Sequence, residues 1–444
     1  MLLRFTFENF KSFKNETSLN LMPAKRQQHS DHVITQQAGI KTSSLPVAAI
    51  YGANASGKSN LIDAIYFAQE LIIEGTKADQ RINIIPFKLN SGTNINSKFE
   101  FEFINENVLY TYGFILNQKQ IEEEWLFGYY NNRESKIFER ITSGGKTLIK
   151  TGNIKAINKS SSPTERKKNY INFLAESTRP NQLFLTEARE RNVDFLKPVI
   201  HWFQNHLKVI YPDSKFISLV SQAYKQKEFL NFLSQYLKLF DIGIESLELS
   251  EKDVDSEKMP KDLYQKIIQK LDNAEKTIEG ADTAIKNKDG NLIEISINSI
   301  HKTSDGKDVI FEIEEESDGT IRMLHLIPIV SELLGKENVY IIDELDRSLH
   351  PLLSKNFINI FLSFITDKQL TGQIIFSTHQ THLLDLENLR RDEIWFVEKS
   401  KEGCSHLTSL AEYKVRKDLR IEKGYLNGRF GAIPFIGDPK SLLK

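Results

Sequence analysis

The sequence predicts an α/β fold whose two sheet-forming parts lie near opposite ends of the chain, with a helical segment between them. Three observations support this fold class. Residues 45–51 form a short apolar run that enters a glycine-rich loop and then a helical pattern. Residues 98–148 contain short segments of alternating polar and apolar side chains, which are typical of antiparallel strands. Apolar runs that begin at residues 339, 373 and 394 predict a second α/β block.

The N-terminal part can be followed element by element. Residues 3–10 and 18–21 predict two strands, and the polar residues 26–41 are expected to form a loop. The run 45–51 is nearly all apolar, which indicates a strand covered on both faces. After the glycine-rich loop, apolar side chains recur at helical spacing as far as Gly75.

Helical patterns dominate the middle of the chain, after a linker-like stretch at residues 153–163 that is rich in Ser, Asn and Lys. These patterns cover residues 169–175, 193–207, 226–240 and 260–278. Strand patterns return at residues 292–297 and 309–315. We therefore expect an N-terminal half (residues 1–152), a mainly helical insertion (residues 153–290) and a C-terminal half (residues 291–444).

The composition is that of a folded globular chain. The 444 residues include 58 Lys and Arg against 59 Asp and Glu, and 40% of them are hydrophobic, which excludes a disordered or fibrous protein. The near-neutral charge argues against a protein that coats nucleic acid through bulk electrostatics. With Cys404 as the single cysteine, neither an intrachain disulfide nor a thiolate metal cluster is possible. No signal peptide or membrane-spanning run is recognisable, so we expect a cytoplasmic protein with no membrane partner.

The glycine-rich loop fits the phosphate-binding pattern G-x4-G-K-S in full. Gly52 and Gly57 let the backbone wrap the phosphates, which a Cβ would crowd. The helix that begins near Lys58 points its positive end at the same place. Lys58 would reach the β- and γ-phosphate oxygens, and the Ser59 hydroxyl would bind Mg²⁺. The strand before the loop and the helix after it make a chance match improbable.

Two acids follow the apolar run that begins at residue 339. On their own, Asp343 and Glu344 would be interpreted as solvated residues at a strand end. The phosphate loop reverses this interpretation, because it needs an acid on the Mg²⁺ side and no nearer candidate exists. Asp343 would then reach Mg²⁺ through water, and Glu344 would polarise the attacking water.

Two further positions acquire meaning only beside the phosphate loop. His379 follows another apolar run, and at a strand end it would contact the γ-phosphate or the water. His382 invites a metal interpretation, but acids or cysteines at suitable spacing are missing, so a loop histidine is favoured. Ser317 and Gly319 begin a predicted helix, which alone indicates only a capped helix start.

In this order the motifs resemble the ABC-type ATPases, and within them the SMC/RecF-like branch. Residues 7–13 resemble that branch's first strand, Ser317-Asp318-Gly319 a shortened signature motif, and residues 345–351 occupy the D-loop position. His379 matches the switch histidine. The nucleotide-binding residues that this resemblance implies are Gly52, Ala53, Asn54, Ala55, Ser56, Gly57, Lys58, Ser59 and Asn60, with Ser317 and Gly319.

More narrowly, the chain is similar to bacterial AAA-like ATPases grouped with RloA and AbiLi, relatives of the Septu and retron-associated ATPases. The ending at residues 423–434 resembles the usual tail of that group. The likeness covers residues 1–115 and 290–435. A glutamine of the Q-loop type is not recognisable, since nothing around Gln80 supports that assignment.

The resemblance implies an ATPase that converts ATP to ADP and phosphate with Mg²⁺. Lys58, Glu344 and His379 would be catalytic, and Ser59 and Asp343 would hold the metal. It also implies a dimer-based homo-oligomer that closes on ATP, as the ATPase subunit of an anti-phage defence system. A separate effector such as a nuclease is the expected partner, and DNA is a possible one.

Three alternatives stay open. The first is a RecF-like repair or maintenance ATPase that acts directly on DNA. The second is the nucleotide-binding subunit of a transporter, which residues 345–348 and the short signature disfavour. The third is a stand-alone toxin whose activity lies in the helical insertion, around residues 169–207.

Overall fold

The protein has the mixed α/β architecture that the sequence predicts. The computed structural model describes residues 1–25, 28–38, 40–89, 96–130, 133–143, 146–152, 165–216, 218–240, 243–255, 260–271, 277–279, 282–288, 291–366, 371–414 and 421–433. Contacts group the chain into two compact units: Met1–Pro212, Leu333–Leu345 and Leu362–Lys444 form the first, and Asp213–Glu332 and Asp346–Phe361 form the second. The predicted division into residues 1–152, 153–290 and 291–444 uses continuous segments, whereas these two units are discontinuous in sequence. It stays a prediction.

The elements are as follows. The strands are β1 (Leu2–Glu8), β2 (Thr17–Asn20), β3 (Ile34–Ala38), β4 (Ile40–Ser44), β5 (Val47–Tyr51), β6 (Ser97–Asn105), β7 (Val108–Leu116), β8 (Ile121–Tyr130), β9 (Arg133–Ser143), β10 (Lys146–Thr151), β11 (Leu207–Ile210), β12 (Ser246–Asp253), β13 (Thr277–Glu279), β14 (Thr283–Lys288), β15 (Asn291–Lys302), β16 (Asp308–Glu312), β17 (Val339–Ile342), β18 (Gln373–Thr378), β19 (Ile394–Lys399) and β20 (Ser405–Ser409). The α-helices are α1 (Lys58–Glu74), α2 (Glu165–Ser177), α3 (Phe184–Glu190), α4 (Lys197–His201), α5 (Leu219–Lys225), α6 (Lys227–Leu239), α7 (Lys261–Lys270), α8 (Asp318–Leu333), α9 (Pro351–Thr366) and α10 (Ile421–Leu426).

The first unit contains a six-stranded sheet in the order β11-β17-β18-β5-β19-β20. Its strands run parallel, except β20, which pairs antiparallel with β19. Every residue of β5 is buried, as expected for a strand covered on both faces. Because the carboxyl ends of parallel strands meet at one edge, the loops after β5, β17 and β18 lie side by side.

A seven-stranded antiparallel sheet, in the order β10-β9-β8-β7-β6-β1-β2, belongs to the same unit. Some of its phenylalanines contact α1 and the segment before β11. Phe67 of α1 lies 5.3 Å from Phe99 of β6, measured between ring centroids, and Phe103 stacks on Trp202 at 4.1 Å. Apolar residues of this sheet, α1 and the parallel sheet form one continuous core that holds the helix after the phosphate loop in place.

The structure differs from several local predictions. Within residues 26–41, expected to be a loop, β3 forms a hairpin with β4, and the Thr35 and Ser43 hydroxyls face each other across it at 2.9 Å. Helical turns cover residues 194–206 of the predicted segment 193–207, and the chain then enters β11, which was not predicted, because Leu207–Ile210 pairs in parallel with β17 at the sheet edge. Four residues are too few for the hydrophobic pattern to separate strand from helix. In the helix predicted at 260–278, α7 ends at Lys270, and Thr277–Glu279 forms β13. The predicted linker at residues 153–163 lies outside the described residues.

The second unit contains a five-stranded sheet in the order β12-β15-β14-β13, with β16 paired to β15. It also contains α5, α6 and α7. Most residues of α8 also belong to this unit, and the helix begins at Asp318 within the predicted Ser-Asp-Gly turn. Among the described helices, none combines the length and apolar character needed to cross a membrane.

Candidate nucleotide site

The phosphate loop joins β5 to α1, as the sequence predicts, and its two key glycines have identifiable structural reasons. Gly57 has a φ of 119°, in the left-handed region, and a Cβ there would lie 2.5 Å from the Ser405 hydroxyl. A Cβ on Gly52 would lie 2.5 Å from both the Ser56 hydroxyl and the Val397 carbonyl oxygen. The loop is therefore wound so tightly that neither position accepts a side chain.

Lys58 is buried at the start of α1 and lies across the loop. Its Nζ donates to the carbonyl oxygens of Gly52 at 2.8 Å and Ala53 at 3.2 Å. The same Nζ lies 3.4 Å from Nδ1 of His379, which follows β18. Two of the predicted catalytic residues, 321 positions apart in the chain, are thus in contact.

A cleft of about 390 Å³ opens over this loop. Its lining consists of Asn54, Ala55, Ser56, Gly57, Lys58, Ser59, Asn60, Glu344, His379 and Lys399. Most of the predicted nucleotide-binding residues of the first unit, and all three predicted catalytic residues, therefore surround one space. Lys399, at the end of β19, adds a cation that the sequence analysis did not single out.

The two acids after β17 are held by Ser377, a residue of β18. The Ser377 hydroxyl donates to Oδ1 of Asp343 at 2.6 Å and accepts from the backbone N–H of Glu344 at 2.8 Å. The Ser377 carbonyl accepts from Leu345 at 3.0 Å. Asp343 is only 4% exposed, whereas Glu344, with a φ of 46°, turns out of the strand and lines the cleft. The sequence carried no signal for Ser377, because its partners come from another strand.

A second polar cluster supports the loop from the side of β20. The Ser405 hydroxyl donates to the carbonyl oxygen of Ser56 at 2.5 Å and lies 2.8 Å from the Ser12 hydroxyl. Asn60 Nδ2 also donates to that Ser12 hydroxyl, at 2.8 Å. Asn60 was predicted to bind nucleotide, and it both lines the cleft and makes this structural bond. Ser12, noted only as part of the first-strand motif, supports the loop.

Asp63, one turn into α1, connects three parts of the first unit. Its carboxylate accepts from Lys11 Nζ at 2.6 Å and from the Tyr211 hydroxyl at 2.7 Å. Burial, together with the hydrogen bond to this carboxylate, raises the pKa of Tyr211. Tyr211 therefore stays a neutral donor, and the contact fixes the end of β11 against the helix that carries the phosphate loop.

The signature-like residues form their own cleft in the second unit. The Ser317 hydroxyl accepts from the backbone N–H of Thr320 at 3.2 Å and so caps α8. Gly319 lies against Ser348, whose carbonyl oxygen would be 2.8 Å from a Cβ at position 319. The cleft has a volume of about 440 Å³ and is lined by Ser317, Asp318, Gly319, Thr320, Ser348, His350 and Leu353.

Gln80 lies in a different part of the first unit. It lines a cleft of about 700 Å³ that also contains Glu74 and Arg179, near the C-terminal end of α1. The 17 residues of α1 span roughly 25 Å, and the phosphate loop precedes the other end. This position gives no support for Gln80 as a Q-loop residue, in agreement with the sequence analysis.

The side chains near the loop fit a magnesium ion. Ser59 and Asp343 would offer a hydroxyl and a carboxylate, the hard oxygen ligands that Mg²⁺ takes together with phosphates and water. Among the described residues, no group of three or more His, Cys, Asp or Glu side chains is placed to hold a metal by itself. Any Mg²⁺ held by Ser59 and Asp343 would take its remaining ligands from phosphate and water.

A protein-family model matches the part of the sequence that forms this site. The family model described as "AAA domain, putative AbiEii toxin, Type IV TA system" covers residues 47–385, which include the phosphate loop, both acids and His379. The chain belongs to this family of AAA ATPases. A comparison with curated proteins found no significant match.

Among solved structures, the chain is similar to SMC head domains. One is an SMC head bound to the C-winged helix domain of ScpA, with 14% identity and a TM-score of 0.40 over 92% of this chain and 97% of that one. Another is the SMC head from Thermotoga maritima, with 13% identity and a TM-score of 0.39 over 92% of this chain and 98% of that one. At these values the likeness carries no conclusion about activity or partners.

The predicted fold class is confirmed. The structure is α/β and has a β-rich N-terminal subdomain formed by β1, β2 and β6–β10. The ABC-type head stays a prediction, and so does the mainly helical character of residues 153–290, which contain β11–β14 besides their helices. The resemblance to an AAA-type ATPase is confirmed at the level of the family. The narrower placement beside RloA and AbiLi stays a prediction.

Proposed function

We propose that this protein binds and hydrolyses ATP as a subunit of a bacterial anti-phage defence system, closes into a dimer on ATP and controls a separate effector. The observation that carries the proposal is the single cleft where the phosphate loop meets Lys58, Glu344 and His379. In P-loop ATPases these are the groups that bind phosphate, orient water and contact the γ-phosphate.

The chemistry follows from the positions of these side chains. Backbone N–H groups of the loop and the N-terminus of α1 bind the phosphates, and Lys58 neutralises charge on the β- and γ-oxygens. Glu344 accepts a proton from the attacking water and orients it, while His379 contacts the γ-phosphate. Ser59, and Asp343 through water, would hold Mg²⁺, which would supply positive charge beside the phosphates.

A dimer would complete the site. The residues that line the phosphate-loop cleft all belong to the first unit, whereas Ser317 and Gly319 belong to the second. The N–H groups at the start of α8 and the Ser317 hydroxyl suit a phosphate. We propose that they bind the γ-phosphate of an ATP held by another copy, so that two ATP molecules lie between two subunits.

The defence role rests on the family description and on the sequence resemblance. The family description names a putative toxin of a type IV toxin–antitoxin system. Such a role depends on a change of assembly rather than on fast ATP turnover. ATP binding would shift the protein population from open forms to closed dimers. A separate effector, such as a nuclease, would be held or released accordingly.

Light scattering with ATP and Mg²⁺ tests this proposal. The wild type, Glu344→Gln and Ser317→Arg are compared, since Ser317 is exposed and loss of its helix cap costs only about 1 kcal/mol. We expect Glu344→Gln to accumulate as a stable dimer and Ser317→Arg to bind ATP without any increase in size. If all three proteins bind ATP and none increases in molar mass, the dimer model is wrong. An increase in molar mass that requires duplex DNA would support the RecF-like alternative instead.

A further inference from the structure

The segment of residues 421–433 packs against the two strands that border the phosphate loop. Tyr425 of α10 lies 5.6 Å from the ring of Phe396 in β19 and 6.2 Å from Tyr51, the residue immediately before Gly52. Phe430 stacks on the same Phe396 at 5.2 Å with an interplanar angle of 8°. Both Tyr425 and Phe430 are buried. The segment is therefore anchored to the parallel sheet by aromatic packing.

The anchored segment also reaches the loop that carries His379. After β18, His379 and Gln380 lead into a short 3-10 turn at Thr381–Leu383. The Thr381 hydroxyl donates to Oε1 of Glu422, in the first turn of α10, at 2.9 Å. Hydrogen bonds to a carboxylate acceptor are stronger than those between neutral groups.

We propose that Glu422 is a positioning residue for His379. The Glu422–Thr381 hydrogen bond fixes the turn that follows His379, and with it the place of the imidazole beside Lys58. The proposal rests on the proposed ATPase function. The segment of residues 421–433 thus helps to position a catalytic residue, in addition to the packing that its aromatic residues provide.

The geometry separates this effect from ATP binding. Lys58 is bonded to the carbonyl oxygens of Gly52 and Ala53, besides its longer contact with His379, and two of the bonds that hold the phosphate loop involve Ser405 and Ser12. None of these bonds uses Thr381 or Glu422. Loss of the Glu422–Thr381 bond should therefore leave ATP affinity intact and misplace only the group that contacts the γ-phosphate.

Steady-state ATP hydrolysis by Thr381→Val and Glu422→Ala tests the proposal. We expect kcat to fall about tenfold in each, the size expected for one charge-assisted hydrogen bond, with KM for ATP changed less than about twofold. The double variant should be no slower than the slower single variant, because both remove the same bond. Thr381→Ser keeps the hydroxyl and should retain nearly full kcat.

Thr35→Val is the matched control, because the Thr35 hydroxyl bonds Ser43 across the exposed β3–β4 hairpin and its loss should leave kcat unchanged. Thermal unfolding of every variant checks that the fold is intact. Wild-type kcat in Thr381→Val, or equal losses in Thr381→Val and Thr381→Ser, would overturn the positioning role. A wild type that binds no ATP and hydrolyses none would overturn the proposed function, and this inference with it.

Discussion

At the scale of single residues, Ser377 determines how the two acids of the site are presented. One hydroxyl satisfies the buried carboxylate of Asp343 and at the same time accepts from the backbone of Glu344. A buried carboxylate that loses such a donor is left partly unsatisfied, which costs about 1–3 kcal/mol. Ser377 therefore both stabilises Asp343 and sets the turn that points Glu344 into the cleft.

Ser377→Ala should lower kcat for ATP hydrolysis by about tenfold or more and raise the Mg²⁺ concentration needed for half-maximal activity, since misplacing a catalytic group is costly. The measurement is phosphate release at a series of Mg²⁺ concentrations. Ser43→Ala, on the β3–β4 hairpin, serves as the control and should behave as the wild type. Equal Mg²⁺ requirements in both variants would contradict this account of Ser377.

The residues of the site differ in how far sequence could predict them. Lys58 and Ser59 follow from a local motif, since loop, strand and helix are contiguous in the chain. Ser377 and Ser405 could not be predicted, because their partners Asp343 and Ser56 are 34 and 349 positions away. Lys399 enters the cleft only because β19 pairs with β5. The catalytic roles themselves stay predictions.

At the scale of elements, the buried ion pair of Glu124 and Arg140 fixes α3 to the antiparallel sheet. Glu124 of β8 accepts from the first N–H groups of α3, at Phe184 and Leu185, at 2.7 and 3.0 Å. Arg140 of β9 lies 3.4 Å from the same carboxylate. Burial raises the pKa of Glu124, although the arginine and the backbone donors favour its charged form.

Glu124→Gln should reduce the free energy of unfolding by about 3 kcal/mol, because it leaves a buried arginine without its counter-ion. Glu139→Gln is the matched control on β9: its pair with Lys136 is 36–41% exposed, and such pairs contribute about 0–1 kcal/mol. Urea unfolding followed by circular dichroism measures both. Similar losses in the two variants would show that the buried pair is not the anchor.

Element prediction succeeded where a pattern was long or bordered by a motif. The apolar runs at residues 339, 373 and 394 are the strands β17, β18 and β19. The failures at β3–β4 and β11 share one cause: each strand has five residues or fewer and no motif borders it, so that its pairing partner specifies the strand.

At the scale of the whole molecule, residues from both ends of the chain build the nucleotide-binding sheet. β5, with residues 47–51, lies between β18 and β19, whose residues come more than 320 positions later. The sequence predicted that the two halves fold together. It did not predict the strand order, because tertiary packing determines which strands are neighbours in a parallel sheet. The phosphate loop can form its cleft only after the C-terminal half has folded onto β5.

The most direct test of this account is ATP turnover by Glu344→Gln beside the wild type, with bound nucleotide measured in the same samples. The account predicts that Glu344→Gln retains ATP but releases phosphate at least about 100-fold more slowly, the range expected for loss of a general base. Glu337→Gln, whose carboxylate bonds Gln36 and does not line the cleft, should match the wild type. Wild-type turnover in Glu344→Gln would contradict the assignment of the catalytic cleft.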